Sequence, residues 1–244
     1  MQAIFYNGPL VETHIGDMVN EIYRHRIYEP VIAAAKYQLT NPDISLYEMT
    51  RELTIVDAGA NIGITTAYFA GHAKRVISLE PCDDHRECLT AMVYENKLRN
   101  VEILPCALWS ESGTATLHHA DNPTAHSLIN WNTGSKSSET TITMTLADLM
   151  TEHNIDTIDI LKMDVEGAES EIIVSDGFMA IAPRIRFVIG EWHSWTKYSQ
   201  ETIRRALNDA GYRAAWLQLG TDKPNIFLAW RSGEREPNYG QVVR

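Results

Sequence analysis

Apolar residues recur at helical spacing from Thr13 to Leu39 (Ile15, Met18, Val19, Ile22 and Tyr23, then Ile32 to Ala35), with Pro30 placed to separate two helices. Beyond this helical preface the period changes. Short apolar runs at Thr54–Asp57, Arg75–Leu79, Val101–Pro105, Ile158–Met163 and Arg186–Ile189 predict strands, while Gly63–Ala70, Asp84–Asn96, Glu169–Ser175 and Gln200–Ala210 predict helices. Strands apolar on both faces and separated by helices imply a parallel sheet covered on both sides. The end of the chain breaks the alternation. Tyr212–Leu219 and Ile226–Trp230 are strand-like but joined only by Gly220–Asn225, too short for a crossover helix, so the last two strands are expected as an antiparallel hairpin. Thr116 to Thr143 is expected to add a short hairpin or lid, and Asn132 to Thr143, rich in Ser, Thr and Gly, reads as an exposed connection.

This pattern suggests a helical cap over residues 1–50 and one compact unit over 51–244, which a chain of 244 residues with 44% hydrophobic content can support. No apolar run reaches the ~18 residues of a membrane span, and Met1 to Gly16 lacks a basic start and a continuous apolar stretch. A cytoplasmic protein with no membrane partner is therefore expected. The formal charge of -11, with dispersed basic residues, argues against a nucleic-acid partner. Cys82, Cys88 and Cys106 lack metal-type spacing and are expected as buried or half-buried thiols.

Candidate chemistry starts at Thr54-Ile-Val-Asp57-Ala-Gly59-Ala-Asn61-Ile-Gly63, an apolar strand running into a tight turn and a helix. Gly59 and Gly63 would let the backbone approach a ligand at the carboxyl end of the strand. A dinucleotide fingerprint places glycine where Asn61 stands, so the ligand suited here lacks a pyrophosphate, as S-adenosylmethionine does. Asp57 is an acceptor for the amino-acid end of such a ligand, or else ties down the glycine turn. Glu80, closing the run Val76–Leu79, can accept both hydrogen bonds of a ribose diol, and Ala107 falls where an adenine would rest. NAD would use Gly59, Gly63 and Glu80 equally. Asn61 and the terminal hairpin favour S-adenosylmethionine over it.

Val56-Asp-Ala-Gly-Ala-Asn-Ile-Gly63, Leu79-Glu-Pro81, Thr145-Leu-Ala-Asp-Leu149 and Ile160-Leu-Lys-Met-Asp-Val-Glu-Gly-Ala-Glu169 together resemble the FkbM family of S-adenosylmethionine-dependent methyltransferases. The last block is the most specific. The resemblance runs from about Ile22 to Trp230, and Glu21 to Glu29 is similar to the family's opening helical segment, with Tyr28 expected at the cofactor. It implies a class I, Rossmann-like methyltransferase fold: α/β, a mostly parallel sheet with an antiparallel final strand, preceded by a helical segment. It also implies O-methylation of a hydroxyl on a sugar or other small natural product. The segment around Tyr28 and the loop from Asn122 to Ser138 are expected to close over cofactor and acceptor.

Methyl transfer from a sulfonium needs no proton on the leaving group, so the chain's task is to align a hydroxyl and remove its proton. Asp164, closing the run Ile158–Met163, shares a strand face with Lys162 and is a candidate for cofactor binding and catalysis. In Phe187-Val-Ile-Gly-Glu191-Trp-His193, Glu191 and His193 fall on one side, so His193 is read as general base with Glu191 orienting it; a structural pair is the alternative. Asp164, Glu191 and His193 could instead hold a divalent metal, a point the sequence leaves open. His118 and His119 read as a surface pair. Besides an O-methyltransferase, an NAD-dependent oxidoreductase and a catalytically silent adenosyl-binding module remain as competing functions.

Overall fold

The structure, a computed structural model, describes residues 27–37, 53–120, 125–130, 137–218 and 225–238. Its centre is a seven-stranded sheet. The strands are β1 (Thr54–Ala58), β2 (Arg75–Leu79), β3 (Val101–Leu104), β7 (Ile158–Met163), β8 (Ile185–Trp192), β9 (Tyr212–Gln218) and β10 (Asn225–Arg231), in spatial order β3-β2-β1-β7-β8-β10-β9. The first five pair in parallel, whereas β10 lies between β8 and β9 and is antiparallel to both. The antiparallel ending expected from the sequence is thus present, with the last strand inserted into the sheet rather than at its edge. The link Gly220–Asn225 falls outside the described residues up to 224.

Period-two alternation sends neighbours in each central strand to opposite layers. Ile55, Ile160, Phe187 and Leu228 face a core shared with α1 (Glu29–Tyr37), α2 (Ile64–Ala70) and α3 (Asp83–Glu95). Val56, Leu161, Val188 and Phe227 face the other, covered by α4 (Leu146–Glu152), α5 (Ala168–Ile173), α6 (Asp176–Ile181) and α7 (Gln200–Asp209). The strand β7, read from the sequence as Ile158–Met163, is buried at every position, Asp159 and Lys162 included. Pro30 sits in the first turn of α1, where its missing N–H has no helical acceptor to lose. Through Val31, Ile32, Ala34 and Ala35, this helix shares the sheet's core. The helix expected before Pro30 lies outside the described residues. Among those described, no helix is long and apolar enough to cross a membrane.

A second sheet of three strands, in the order β4-β6-β5, branches off after β3: β4 (Cys106–Leu108), β5 (Gly113–His119) and β6 (Ser137–Met144). The antiparallel β5–β6 pair is the hairpin expected between Thr116 and Thr143. It corrects the reading of Asn132 to Thr143 as an exposed connection, since residues 137–143 form a strand. Thr141 and Thr143 turn inward while Ile142 faces out, so hydroxyl-bearing β-branched residues build a strand where composition suggests a loop. Helices α4 and α6 are too short for a clear 3.6-residue period and begin at side-chain caps, Thr145 and Ser175, which accept from Asp148 N–H and Phe178 N–H.

Candidate active site

The turn after β1 is held by the sheet itself. Gly59 N–H and Ala60 N–H both donate to Leu79 O at 3.0 Å, and Gly63 N–H donates to Ala60 O at 2.9 Å. Asn61 takes a left-handed conformation (φ 51°), its Oδ1 accepting from Ile62 N–H at 2.7 Å, a local bond that suits asparagine to this place. Gly59 (φ 72°) is demanded by packing rather than by a ligand, because a Cβ there would lie 1.8 Å from Asp164 O. Gly63 is likewise packed against Leu89, 2.7 Å from where its Cβ would be.

Asp57 is fully buried under this turn. It is flanked in the parallel ladder by Ser78 and Lys162. Its Oδ2 accepts from Thr66 Oγ1 at 2.7 Å, and its Oδ1 lies 3.2 Å from Lys162 Nζ. Lys162 also donates to Gly59 O at 2.7 Å and Ala58 O at 3.2 Å. Burial works against the ammonium, but Asp57 and Asp164 raise its pKa and keep it charged. Of the two roles the sequence allows Asp57, its contacts are those of tying down the glycine turn.

Two cavities open at the carboxyl ends of β1, β2, β7 and β8, and Asp164 borders both. The first is lined by Gly59, Asn61, Glu80 and Ala107, together with Asp164 and Glu166. Glu80, only 4% exposed, accepts from Asn61 N–H at 2.7 Å and Cys82 N–H at 3.0 Å, which fixes its carboxylate and leaves lone pairs toward the cavity. The second sheet also contributes a wall: His126 and Leu128, before β6, and Leu117 of β5 line the same cavity. The His85 and His126 rings stack at 4.9 Å. Burial, then His85 and His119, push His126 down to about 4, so the wall is a neutral aromatic surface near neutral pH. The second cavity is lined by Tyr28, Lys162, Asp164, Gly190 and Glu191 among others.

Beside Asp164 the chain turns sharply through Glu166 (φ 50°) and Gly167 (φ 96°) into α5. This turn and the end of β8 bring the carboxylates of Glu166, Glu169 and Glu191 around His193. Its Nδ1 meets Glu169 Oε1 at 2.8 Å, its Nε2 meets Glu166 Oε2 at 3.2 Å, and Glu191 Oε1 stands 4.0 Å from Nε2. Glu191 and His193 do share a side, as strand periodicity implies, but the orienting partner is Glu169 rather than Glu191. Burial by itself would lower the imidazolium pKa; the hydrogen bonds and charges of Glu166 and Glu169 outweigh it and raise it to about 11. Held this way, the ring favours its protonated form. That corrects the reading of Glu191 as the partner that orients His193.

Of the residues singled out from the sequence, Gly59, Asn61, Glu80, Ala107 and Asp164 meet around the first cavity, and Tyr28, Asp164 and Glu191 around the second. Asp57 and Gly63 stand behind the turn, lining neither. His85, His126, Glu166 and Glu169 were not singled out. Glu166 and Glu169 lie inside the most specific motif block, but their positions relative to His193 depend on β8 lying beside β7. His119 bonds Glu139 at 3.2 Å and its ring lies 4.6 Å from that of His126, so only part of the expected surface pair is outward.

A family model described as the methyltransferase FkbM domain matches residues 57–214. Among solved structures, the chain is similar to an FkbM methyltransferase from Methylobacillus flagellatus, with a TM-score of 0.51 and 14% identity over 88% of this chain and 60% of that one. It is also similar to WbdD, with a TM-score of 0.55 and 12% identity over 93% of this chain and 43% of that one. The chain therefore spans less than two thirds of either protein, and at these identities the likeness speaks to fold alone. No curated protein matches the sequence. The inserted antiparallel strand and the glycine turn opening onto the first cavity are those of a class I methyltransferase fold, and the chain belongs to the FkbM methyltransferase family.

Proposed function

We propose that the protein is an S-adenosylmethionine-dependent O-methyltransferase acting on a hydroxyl of a sugar or other small natural product, in the cytoplasm. The observation that carries this reading is the pair of cavities meeting at Asp164. The first has the donors and acceptors an adenosyl group needs: Glu80 for the ribose diol, Ala107 and the His126 wall for the base, and backbone around Gly59 and Asn61 in place of a phosphate cradle. The second would admit the acceptor beside Asp164 and Glu191. When bound, S-adenosylmethionine supplies an activated methyl group whose leaving sulfur needs no proton. The chain then has to hold the acceptor oxygen in line and accept its proton. Asp164 and Glu191, with side chains 39% and 23% exposed, are the carboxylates open to that oxygen.

Calorimetry with S-adenosylmethionine and NAD, followed by detection of S-adenosylhomocysteine with a panel of hydroxylated acceptors, tests the proposal. One-to-one binding of S-adenosylmethionine and none of NAD is expected. NAD binding alone would overturn the cofactor, and cofactor binding without turnover on any acceptor would favour a silent adenosyl-binding module.

A further inference from the structure

We propose that Asp164, Glu191 and His193 bind one divalent cation of the magnesium or manganese class between the two cavities. Its purpose rests on the methyltransferase reading; its existence does not. One ligand-capable atom from each of the three residues lies within 4.8 Å of the others, close enough for small side-chain movements to surround an ion. The decisive feature is how the imidazole is held. Glu169, 1% exposed, grips Nδ1 at 2.8 Å and is itself anchored by Gly167 N–H to its Oε2 at 3.0 Å. Nε2 is thereby turned to the carboxylates of Glu166 at 3.2 Å and Glu191 at 4.0 Å. A ring with one nitrogen fixed by a buried carboxylate and the other presented to a convergent set of oxygens is how a ligating histidine and its outer partner are arranged.

The charge balance points the same way. Asp164, Glu166 and Glu191 converge on that single ring, and among the described residues the Lys162 ammonium beside Asp164 is already engaged. Lys162 is 4.0 Å from Asp164 but 3.2 Å from Asp57 and donates to two backbone carbonyls of the glycine turn. A divalent cation would offset this repulsion, with Glu166 turning aside or joining as a fourth ligand. Carboxylates with a single imidazole and no thiolate suit magnesium or manganese.

The location gives the cation a task. Asp164 borders both cavities and Glu191 the second, so an ion between them faces the acceptor. Coordination lowers a hydroxyl's pKa by several units, bringing an alcohol within reach of a carboxylate or water as proton acceptor. The O–H proton would pass to Glu166 or water, the oxygen would form the new bond to the methyl carbon, and the C–S bond pair would return to sulfur. The cation would leave the step unchanged.

The test titrates Mn²⁺ into the purified full chain, following free Mn²⁺ by electron paramagnetic resonance and the His193 ring protons by NMR. One Mn²⁺ per chain is expected, with selective broadening of His193. Glu191→Gln should weaken Mn²⁺ binding by more than about tenfold, and Glu169→Gln by about 10–100-fold, as an outer partner does. Glu191 is partly exposed, so its variant remains informative if the buried Glu169 variant fails to fold. No binding through the millimolar range, or equal affinity in wild type and Glu191→Gln, would overturn the site. Calorimetry with S-adenosylhomocysteine on the same samples separates the two claims. Mn²⁺ binding without it would refute the cofactor reading and support the site; the converse would refute the site alone.

Discussion

Asp57→Asn distinguishes a scaffolding carboxylate from a ligand contact. The substitution keeps the shape and the Thr66 acceptor but removes the charge 3.2 Å from Lys162, a pair with side chains 0% and 4% exposed. At an effective dielectric near 20, charges this close attract by about 5 kcal/mol, and leaving one member of a buried pair alone typically costs about 3–5 kcal/mol. Against a domain stability of about 5–15 kcal/mol, this loss should be plain in urea unfolding. For a chain of this size it corresponds to a fall in Tm of at least about 6 °C. Lys162→Met should cost a similar amount, and Asp57→Asn with Lys162→Met should recover most of it, since removing both charges leaves neither stranded. S-adenosylmethionine affinity, measured on the folded fraction, should change by less than about threefold, because a backbone turn and not Asp57 faces the cavity. Unchanged unfolding midpoints together with a tenfold loss of affinity would refute this reasoning, as would strictly additive losses in the double variant.

Glu80→Ala should weaken S-adenosylmethionine binding by about 1–3 kcal/mol, whereas Glu80→Gln, which keeps an acceptor, should lose less; equal affinity in all three proteins would remove Glu80 from the cofactor site. Gly59→Ala should fold poorly or lose more than the ~1–2 kcal/mol of the left-handed conformation alone, because its Cβ would strike Asp164 O; a wild-type melting temperature would show that the turn can shift. His193 is held near a pKa of about 11, above the ~6.5 of the unfolded chain, so its stabilising effect is complete below pH ~6.5 and is lost as pH rises toward 11. Urea midpoints should therefore fall between those values, less steeply in His193→Gln; parallel profiles would refute the shift. Hydrogen exchange should slow at residues 27–28 and 126–128 when S-adenosylhomocysteine binds, since Tyr28 and His126 line the cavities; equal exchange would count against closure there.

What the sequence determined by itself is whatever local periodicity and single-residue geometry can encode. β2 and β7 were legible because an apolar run bounded by polar turns has few other ways to be buried, and the antiparallel ending followed from a link too short to cross over. The turn from Asp57 to Gly63 and the acid at Glu80 were legible for the same reason. Their spacing puts them at strand ends, and strand ends are where open α/β sheets bind ligands. Only the tertiary structure decided which partner each charged group meets. Asp57 reads as either a ligand acceptor or a tie for the glycine turn until Lys162 arrives on the adjacent strand to pair with it. Glu191 reads as the partner of His193 until β8, lying alongside β7, delivers the ring to Glu169 and Glu166 from a turn more than twenty residues earlier. Strand pairing order, not local pattern, sets those meetings. A carboxylate's role therefore stays open in the sequence until long-range packing fixes whether it faces solvent, a ligand or another charge.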